Sequence, residues 1–238
     1  MLEDIKKFYE KTKLDADSEE SEPSEAPITW IKVFYKEYPR LPSITLPETQ
    51  QEGELARLLA ERESTRNFSN EPVTLKELAQ IIRSCRIVDP NRDPERRTYP
   101  SGGARFPVEV YLVSFNIEEL KPGAYHYNIK KGTLELLWEK DLRDKEEEIV
   151  SPSLKNSAAA IILTSVVARS EVKYGHKAYP YSLIEAGHVG QNLQLMCTKL
   201  NIGSCSIGGF VNDTISKVLD LTDNEIPLYV IGLGKKEK

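Results

Sequence analysis

The chain has 238 residues, 39% of them hydrophobic, which is enough to bury the core of one domain and to leave an additional arm. Its 32 basic and 37 acidic side chains give a formal net charge of -5, which argues against nucleic acid or an anionic membrane as the main partner, because both need a basic surface. Three cysteines without C-x-x-C spacing, three scattered histidines, no secretory signal and no bilayer-length apolar run predict a reduced cytoplasmic protein without a metal site.

Residues 1–50 are predicted to form an N-terminal arm outside the compact domain. Within it, residues 15–25 carry six acidic side chains, no basic one and no large apolar one. Such a segment cannot bury a core face, so we expect a solvated acidic linker. Residues 38–47 are predicted to be extended, because each proline there removes a backbone donor and restricts the residue before it.

The compact domain, residues 51–238, is predicted to mix helices and strands irregularly, which favours an α+β fold over a regular doubly wound sheet. The predicted helices cover residues 55–61, 74–85, 182–200 and 213–219. The predicted strands cover residues 108–115, 124–129, 133–138, 158–167 and 228–233. Thr74 and Glu77 have the spacing of a capping box. The apolar run 158–167 has almost no alternation, as expected of a central strand buried on both faces.

Five segments between these elements carry residues that can do chemistry: 62–68, 99–107, 173–181, 203–210 and 232–238. The first holds two arginines and two hydroxyl side chains, which can grip a phosphate, because guanidinium groups offer planar bidentate donors. Segments 99–107 and 203–210 contain glycine pairs that let a planar ligand approach the main chain. Segment 173–181 offers proton donors and bases. Segment 232–238 offers a lysine that can complete a phosphate site.

Each segment also has an ordinary interpretation when it is taken alone. Segment 62–68 can be a charged surface turn, 99–107 a loop that leads into a strand, and 173–181 a solvated aromatic loop. Segment 203–210 can be a helix-to-helix turn, and 232–238 a basic tail. Their order and spacing together resemble the FMN-dependent nitroreductase superfamily. The nearest likeness is to the SagB-type dehydrogenases, the branch that contains thiazole- and oxazole-forming peptide oxidases. The likeness rests on R-x-S-x-R-x-F, P-S-G-G-A, YSLIEAGHVGQNL, GSCSIGGF and PLYVIGLGK.

The resemblance implies a three-layer α/β/α sandwich around a mixed, mainly antiparallel sheet, in a homodimer with two FMN sites at its interface. Within this family pattern, Arg62 and Ser64 hold the FMN phosphate and ribityl chain. Arg66 lies toward the pyrimidine edge of the flavin, and Lys235 adds charge at the phosphate. A cation near the pyrimidine edge raises the reduction potential of the flavin, because it stabilises the reduced form.

The family pattern also assigns the residues around the flavin ring and the proton transfer. Pro100, Ser101 and Gly102 face the ring from the other protomer, while the amides of Gly208 and Gly209 lie near its nitrogen N5. In azoline oxidation the substrate ring loses a proton and gives hydride to FMN. The Lys-Tyr pair that the family places in this proton transfer matches Lys173 and Tyr174, the candidate catalytic residues. One departure is Pro180, which stands where many relatives have arginine.

The resemblance therefore implies an FMN-dependent oxidoreductase, with azoline-to-azole oxidation in a modified peptide as one candidate reaction. An alternative is an NAD(P)H-dependent nitro or quinone reductase acting on small molecules. Another is a non-catalytic flavin-binding subunit of a modification complex. The resemblance leaves open a cyclodehydratase as an additional partner.

Overall fold

The structure, a computed structural model, describes residues 3–14, 35–49 and 52–237. The predicted acidic linker at residues 15–25 lies outside the described residues. The helices are α1 (Glu3–Thr12), α2 (Glu54–Glu61), α3 (Leu75–Ile82), α4 (Glu146–Ile149), α5 (Ala168–Tyr174), α6 (Ala178–Lys199) and α7 (Asn212–Val218). The strands are β1 (Val73–Thr74), β2 (Ile87–Asp89), β3 (Arg96–Arg97), β4 (Val108–Ser114), β5 (Ile117–Glu118), β6 (Gly123–Asn128), β7 (Thr133–Glu139), β8 (Ala159–Val166), β9 (Ile202–Ile207) and β10 (Glu225–Lys235).

Six of these strands form one sheet in the order β7-β6-β4-β8-β10-β9. Every neighbouring pair in this sheet is antiparallel. Parallel pairing occurs in a separate two-stranded ladder between β1 and β5. The predicted α+β class is therefore confirmed. Strand β8 has neighbours on both edges and is almost entirely buried, which confirms the central strand predicted from its unbroken apolar run.

Helices cover both faces of the sheet. Successive side chains of a strand point to opposite sides, so the apolar run of β8 places apolar side chains on both faces. Ala159, Ile161 and Leu163 of β8 pack into a core with helices α3 and α6. Ala160 and Ile162 belong to a second core, which includes residues of α4 and α7. These two cores give the three layers that the resemblance implied.

Most predicted elements lie within a few residues of their observed bounds, and the capping box is present. Thr74 Oγ1 accepts a hydrogen bond from the Glu77 amide at 3.2 Å, and Glu77 Oε2 accepts one from the Thr74 amide at 2.9 Å. This reciprocal pair satisfies two amide groups that a helix start leaves without partners.

Two of the five chemical segments differ from their predicted conformation. The segment at 203–210 is not a turn for most of its length, because Ile202–Ile207 forms edge strand β9 and pairs with β10. The segment at 173–181 is not a loop either, since α5 is followed by a short 3₁₀ turn, Gly175–Lys177, and then by α6. Pro180 lies in the first turn of α6, where amide groups have no intrahelical acceptor and a missing one costs little.

The N-terminal helix packs onto the domain. Ile5 is buried in a small cluster with Val167, Ala178 and Ile226. The amide of Leu14 donates to Asn212 Oδ1 at 3.0 Å. Residues 35–49 contain no helix or strand, and their large apolar side chains are exposed. None of the helices in the described ranges is long and apolar enough to cross a membrane.

Candidate active site

Residues 62–68 form a strip that the backbone holds against the end of the sheet. The Thr65 amide donates to the Ser204 carbonyl of β9 at 2.9 Å. The Lys155 amide donates to the Arg66 carbonyl, and the Phe68 amide to the Lys155 carbonyl, each at 3.2 Å. The Phe68 side chain is completely buried. The strip is therefore fixed by main-chain bonds and one aromatic anchor, which leaves its charged side chains available.

Two glycines of the neighbouring strands are required by this packing. A Cβ added at Gly203 would lie 2.8 Å from Thr65 Cγ2, and one added at Gly234 would lie 2.8 Å from Phe68 Cβ. Side chains at these positions would push the strip off the sheet. The segments 62–68, 203–210 and 232–238, which are distant in sequence, thus meet in one place.

We call the six predicted cofactor residues in these three segments the edge cluster: Arg62, Ser64, Arg66, Gly208, Gly209 and Lys235. Three of them, Arg66, Gly208 and Gly209, line a cavity of about 550 Å³ together with Ser206. The Ser206 hydroxyl is buried and has no hydrogen-bond partner in the described part of the chain. A Cβ at Gly208 would meet open space. This cavity offers one cation and exposed backbone, which fit a planar polar ligand, and its wall also includes the carboxylates of Glu147 and Glu148.

The remaining members of the edge cluster lie beside the cavity rather than in it. Arg62 is half-buried at the C-terminal end of α2, and Ser64 is exposed. Lys235 Nζ lies 2.6 Å from Glu77 Oε1. Burial raises the pKa of Glu77, but the hydrogen bonds from Lys235 and Thr74 lower this pKa below its usual value. The charge of Lys235 is therefore already partly balanced by Glu77.

A second group of predicted residues gathers around the turn Gly102–Ala104. We call Ser101, Gly102, Gly103, Lys173, Tyr174 and Tyr181 the tyrosine cluster. Gly103 has a φ of +58°, and a Cβ there would overlap the Tyr174 hydroxyl and lie 2.8 Å from Lys173 Nζ. Lys173 Nζ lies 5.4 Å from the centroid of the Tyr174 ring. The Tyr174 and Tyr181 rings meet edge to face with centroids 5.0 Å apart. The turn and the Lys-Tyr pair are thus in direct contact.

Helix α5, which carries Lys173 and Tyr174, is tied to this turn at its other end. Arg169 forms an ion pair with Glu109 and donates to the Phe106 carbonyl at 3.2 Å. Arg105 Nε donates to the Arg169 carbonyl at 2.7 Å. Pro100 and Ser101 also line a groove of about 380 Å³ on the outer side of the turn. These bonds fix the helix that presents the candidate catalytic pair.

The sequence analysis missed Glu185, a carboxyl on α6 that is only 2% exposed. Burial raises the pKa of Glu185 to about 7, although the nearby Ser101 hydroxyl and Val108 amide act in the opposite direction. The signal for it was the apolar stripe of α6, on which Glu185 follows Ser182 by three positions and precedes Val189 by four. A carboxyl on a buried helix face marks a candidate functional residue.

Within one chain the edge cluster and the tyrosine cluster lie apart. The turn at Ser101 leads into β4, whereas Gly208 follows β9, and β8 and β10 lie between these two strands. Three strand spacings amount to about 14 Å. Another groove, about 780 Å³ and lined by basic residues such as Arg83 and Arg86, contains none of the predicted site residues.

Comparison with known proteins gives the same family as the motifs. A nitroreductase-type protein of Methanocaldococcus jannaschii is 30% identical over 198 residues, which cover 81% of this chain and 96% of that protein. The microcin B17-processing protein McbC of Escherichia coli is 27% identical over 153 residues, which cover 61% of this chain and 56% of McbC.

The fold also matches a solved structure over almost its whole length. A chain of the E. coli microcin synthetase McbBCD complex with truncated pro-MccB17 superimposes with a TM-score of 0.80 at 21% identity. The match covers 98% of this chain and 92% of that one, which shows a shared fold. Residues 59–235 match the nitroreductase family profile. The chain therefore belongs to the nitroreductase family, a family of oxidoreductases, and the resemblance found in its motifs is confirmed.

Proposed function

We propose that the protein is an FMN-dependent oxidoreductase that transfers hydride between the flavin and a substrate. The observation that carries this proposal is the cavity lined by Arg66 and by the backbone of Gly208 and Gly209. Bound FMN would supply the hydride acceptor, which no side chain can provide. The open space at Gly208 leaves room for a flat ring against the main chain.

The cations of the edge cluster suit the phosphate end of FMN. The phosphate monoester of FMN carries about two negative charges near neutral pH. Arg66 directly follows Thr65, whose side chain packs on Gly203, and Arg62 lies three residues before Thr65 at the C-terminal end of α2. We assign Arg62 and Ser64 to the phosphate end. Lys235 can contribute there only in part, because it shares its charge with Glu77.

We further propose that two copies of the chain complete each site. The tyrosine cluster and the edge cluster of one chain lie three strand spacings apart. The outer side of α6 exposes Leu183 and Ile184, at 42% and 57%, beside Gly187, where an added Cβ would have no atom of the described residues within 4 Å. Covering this apolar surface with a second copy would remove it from water. Pro100, Ser101 and Gly102 of that copy would then face the flavin ring.

In this arrangement the tyrosine cluster performs the proton transfer. We assign to the Tyr174 hydroxyl the transfer of the proton from the reacting carbon of the substrate. Lys173 Nζ is the cation beside it. Contact with Gly103 fixes the position of both side chains. An azoline ring in a modified peptide is the proposed substrate, supported by the relationship to a microcin-processing protein, and a cyclodehydratase is the proposed source of that ring.

The test is the visible spectrum of the purified full-length protein, followed by identification of the released cofactor. We expect a flavin spectrum and FMN in the released fraction, and bleaching when an azoline peptide is added without oxygen. Protein that binds no flavin under any loading condition would overturn the proposal. Turnover of a quinone or nitro compound with NADH or NADPH would instead favour the reductase alternative. FMN that no donor reduces would favour a non-catalytic subunit.

A further inference from the structure

Two grooves, one of which reaches the tyrosine cluster, concentrate positive charge. The described residues that line the 780 Å³ groove include one acid, Glu95, and five bases: Arg83, Arg86, Lys130, Lys131 and Lys199. The 380 Å³ groove is lined by Glu95 again and by three further bases, Arg92, Arg96 and Arg97. The whole chain has a formal net charge of -5, so this excess of bases is a local feature.

The two grooves share one lining residue and meet at the β2–β3 hairpin. Ile87 of β2 lines the 780 Å³ groove, and Arg97, its partner in β3, lines the 380 Å³ groove. Hydrogen bonds hold the end of the hairpin. Thr98 Oγ1 donates to the Ser84 carbonyl at 2.6 Å, and Asn192 Nδ2 of α6 donates to the Thr98 carbonyl at 3.2 Å. The surface formed by the eight bases is therefore preorganised, and we call it the basic track.

Most cations of the basic track are available to an external anion. Five of them are exposed and form no ion pair with a carboxylate of the described residues: Arg83, Arg86, Arg92, Arg96 and Lys130. The other three, Arg97, Lys131 and Lys199, are paired with Glu95, Glu135 and Glu54, at 2.6, 3.2 and 2.9 Å. Asp89 and Asp93 of the hairpin segment line neither groove. Like charges that crowd on one surface repel each other, so an anionic ligand is favoured there.

The basic track also offers apolar surface but no exposed aromatic ring among the described residues. Ile87, Ile129 and Met196 are half-buried in the lining of the 780 Å³ groove. The aromatic residues that line the two grooves are all buried, namely Tyr99, Phe106 and Tyr127. Proteins that bind single-stranded nucleic acid stack its bases on exposed rings, and a chain with net negative charge repels a long polyanion. An extended peptide with acidic and apolar side chains fits better, because arginine clusters recognise acidic motifs.

We propose that the basic track binds an acidic stretch of the substrate peptide and directs the adjoining residues to the turn of the tyrosine cluster. Where it concerns turnover, this inference rests on the proposed function. Its geometric basis is the 380 Å³ groove, in which Arg96, Ser101 and Ala104 line one space. Ala104 follows Gly103, which packs against Tyr174. A peptide held along the track therefore ends beside the turn that fixes the candidate catalytic pair.

Fluorescence anisotropy of labelled peptides, titrated with the full-length protein, tests the binding. The peptides have equal length and alternate leucine with glutamate, glutamine or lysine. We expect the glutamate peptide to bind about tenfold more tightly than the glutamine peptide at low salt, with a smaller difference at high salt. The lysine peptide should not bind. Equal affinities of the glutamate and glutamine peptides would overturn the proposal.

A matched pair of double variants locates the binding. Arg83→Gln with Arg86→Gln removes two unpaired cations of the track. Lys140→Gln with Lys217→Gln removes two exposed cations that line neither groove, so the net charge of the two variants is the same. We expect the first variant to weaken binding of the glutamate peptide about three- to tenfold and the control to leave it unchanged. Equal losses in both would mean that the track is not the binding surface.

A labelled single-stranded oligonucleotide in the same assay tests the other class of anionic partner. It should bind more weakly than the glutamate peptide. Tighter binding that is lost in the double variant at Arg83 and Arg86 would assign the track to nucleic acid and overturn the proposal.

Steady-state turnover of azoline peptides flanked by glutamate or by glutamine separates this inference from the proposed function. We expect the glutamate flank to lower KM about tenfold at unchanged kcat, and the double variant at Arg83 and Arg86 to remove that advantage. If no azoline peptide is turned over but this variant loses affinity for the glutamate peptide, the proposed reaction fails and the binding surface stands. If both azoline peptides turn over with equal KM and the variants bind peptide alike, only the role of the basic track fails.

Discussion

The edge cluster and the tyrosine cluster are built in opposite ways. In the edge cluster the backbone of residues 62–68 is fixed by main-chain bonds and by Phe68, while Ser64 and Arg66 remain exposed around a cavity. In the tyrosine cluster the side chains themselves interlock, with Tyr174 against Tyr181 and against the turn. The first arrangement is suited to receive a large ligand. The second holds a few reactive atoms in place without one.

The glycines show the same contrast. Gly103 and Gly203 make room for side chains of the chain itself, Tyr174 in one case and Thr65 in the other. Gly208 makes room for no side chain of the described residues, since the position of its Cβ is open. A glycine in a family motif can therefore serve internal packing or ligand access, and only the surrounding structure distinguishes the two roles.

The largest expected effect follows from Tyr174→Phe. This substitution keeps the ring packed against Tyr181 and removes only the hydroxyl that we assign to proton transfer. We expect turnover to fall by about 10² to 10⁴-fold while the bound flavin stays at the wild-type level. Steady-state rates and the flavin absorbance of the same sample measure both quantities.

The matched control is Tyr179→Phe, at a half-buried tyrosine that packs edge to face against Phe8 of α1. This variant should turn over at the wild-type rate. Full activity in Tyr174→Phe would remove its hydroxyl from the chemistry. Loss of flavin in that variant would show that the two clusters do not have separate roles.

The next effect in size follows from Arg62→Ala, which should weaken flavin binding. A charge-assisted hydrogen bond contributes about 1.5 to 3 kcal/mol, so we expect the dissociation constant of FMN to rise roughly 10 to 100-fold. Turnover at saturating FMN should change little, because the tyrosine cluster is untouched. Titration of the apoprotein with FMN, followed by flavin fluorescence, gives the constant.

Arg57→Ala serves as the control for the loss of one surface cation near the strip. Arg57 lies on α2 and is paired with Glu61 at 2.5 Å. Its removal should leave FMN affinity unchanged. An unaltered flavin content in purified Arg62→Ala would contradict the phosphate assignment and would leave Arg66 and Lys235 as the candidates.

How far the sequence predicts the fold depends on whether a residue pattern or a distant contact determines each element. The helix at Leu75–Ile82 and the strand at Ala159–Val166 were predicted, because periodicity and an unbroken apolar run are local signals. Strand β9 was not, since its sequence of small residues becomes a strand only through pairing with β10. Gly203 is small there because Thr65 and Phe68 pack on it, which no local pattern reveals.

The same distinction applies to the candidate site. The motifs identified the segments, and Lys173 and Tyr174 do contact the Gly102–Ala104 turn. Glu185 could be found only by noticing a carboxyl on the buried stripe of α6. The bond between Lys235 and Glu77 joins the last strand to a capping residue 158 positions earlier. Such pairings come from the chain topology, which composition and spacing do not contain.

The smallest expected effect is the difference between Gly103→Ala and Gly132→Ala. This difference is also the most direct test of the packing of the tyrosine cluster. Both glycines have a left-handed φ, +58° and +67°, so both substitutions should lower the free energy of unfolding by about 1 to 2 kcal/mol. A Cβ added at Gly132 would meet no described atom within 4 Å, whereas a Cβ at Gly103 overlaps the Tyr174 hydroxyl. Gly103→Ala should therefore cost roughly 1 kcal/mol more by denaturant titration. It should also slow turnover without loss of flavin, because Tyr174 must move. Equal unfolding free energies and equal turnover would mean that the turn does not hold the Lys-Tyr pair, and the contrast with the edge cluster would lose its basis.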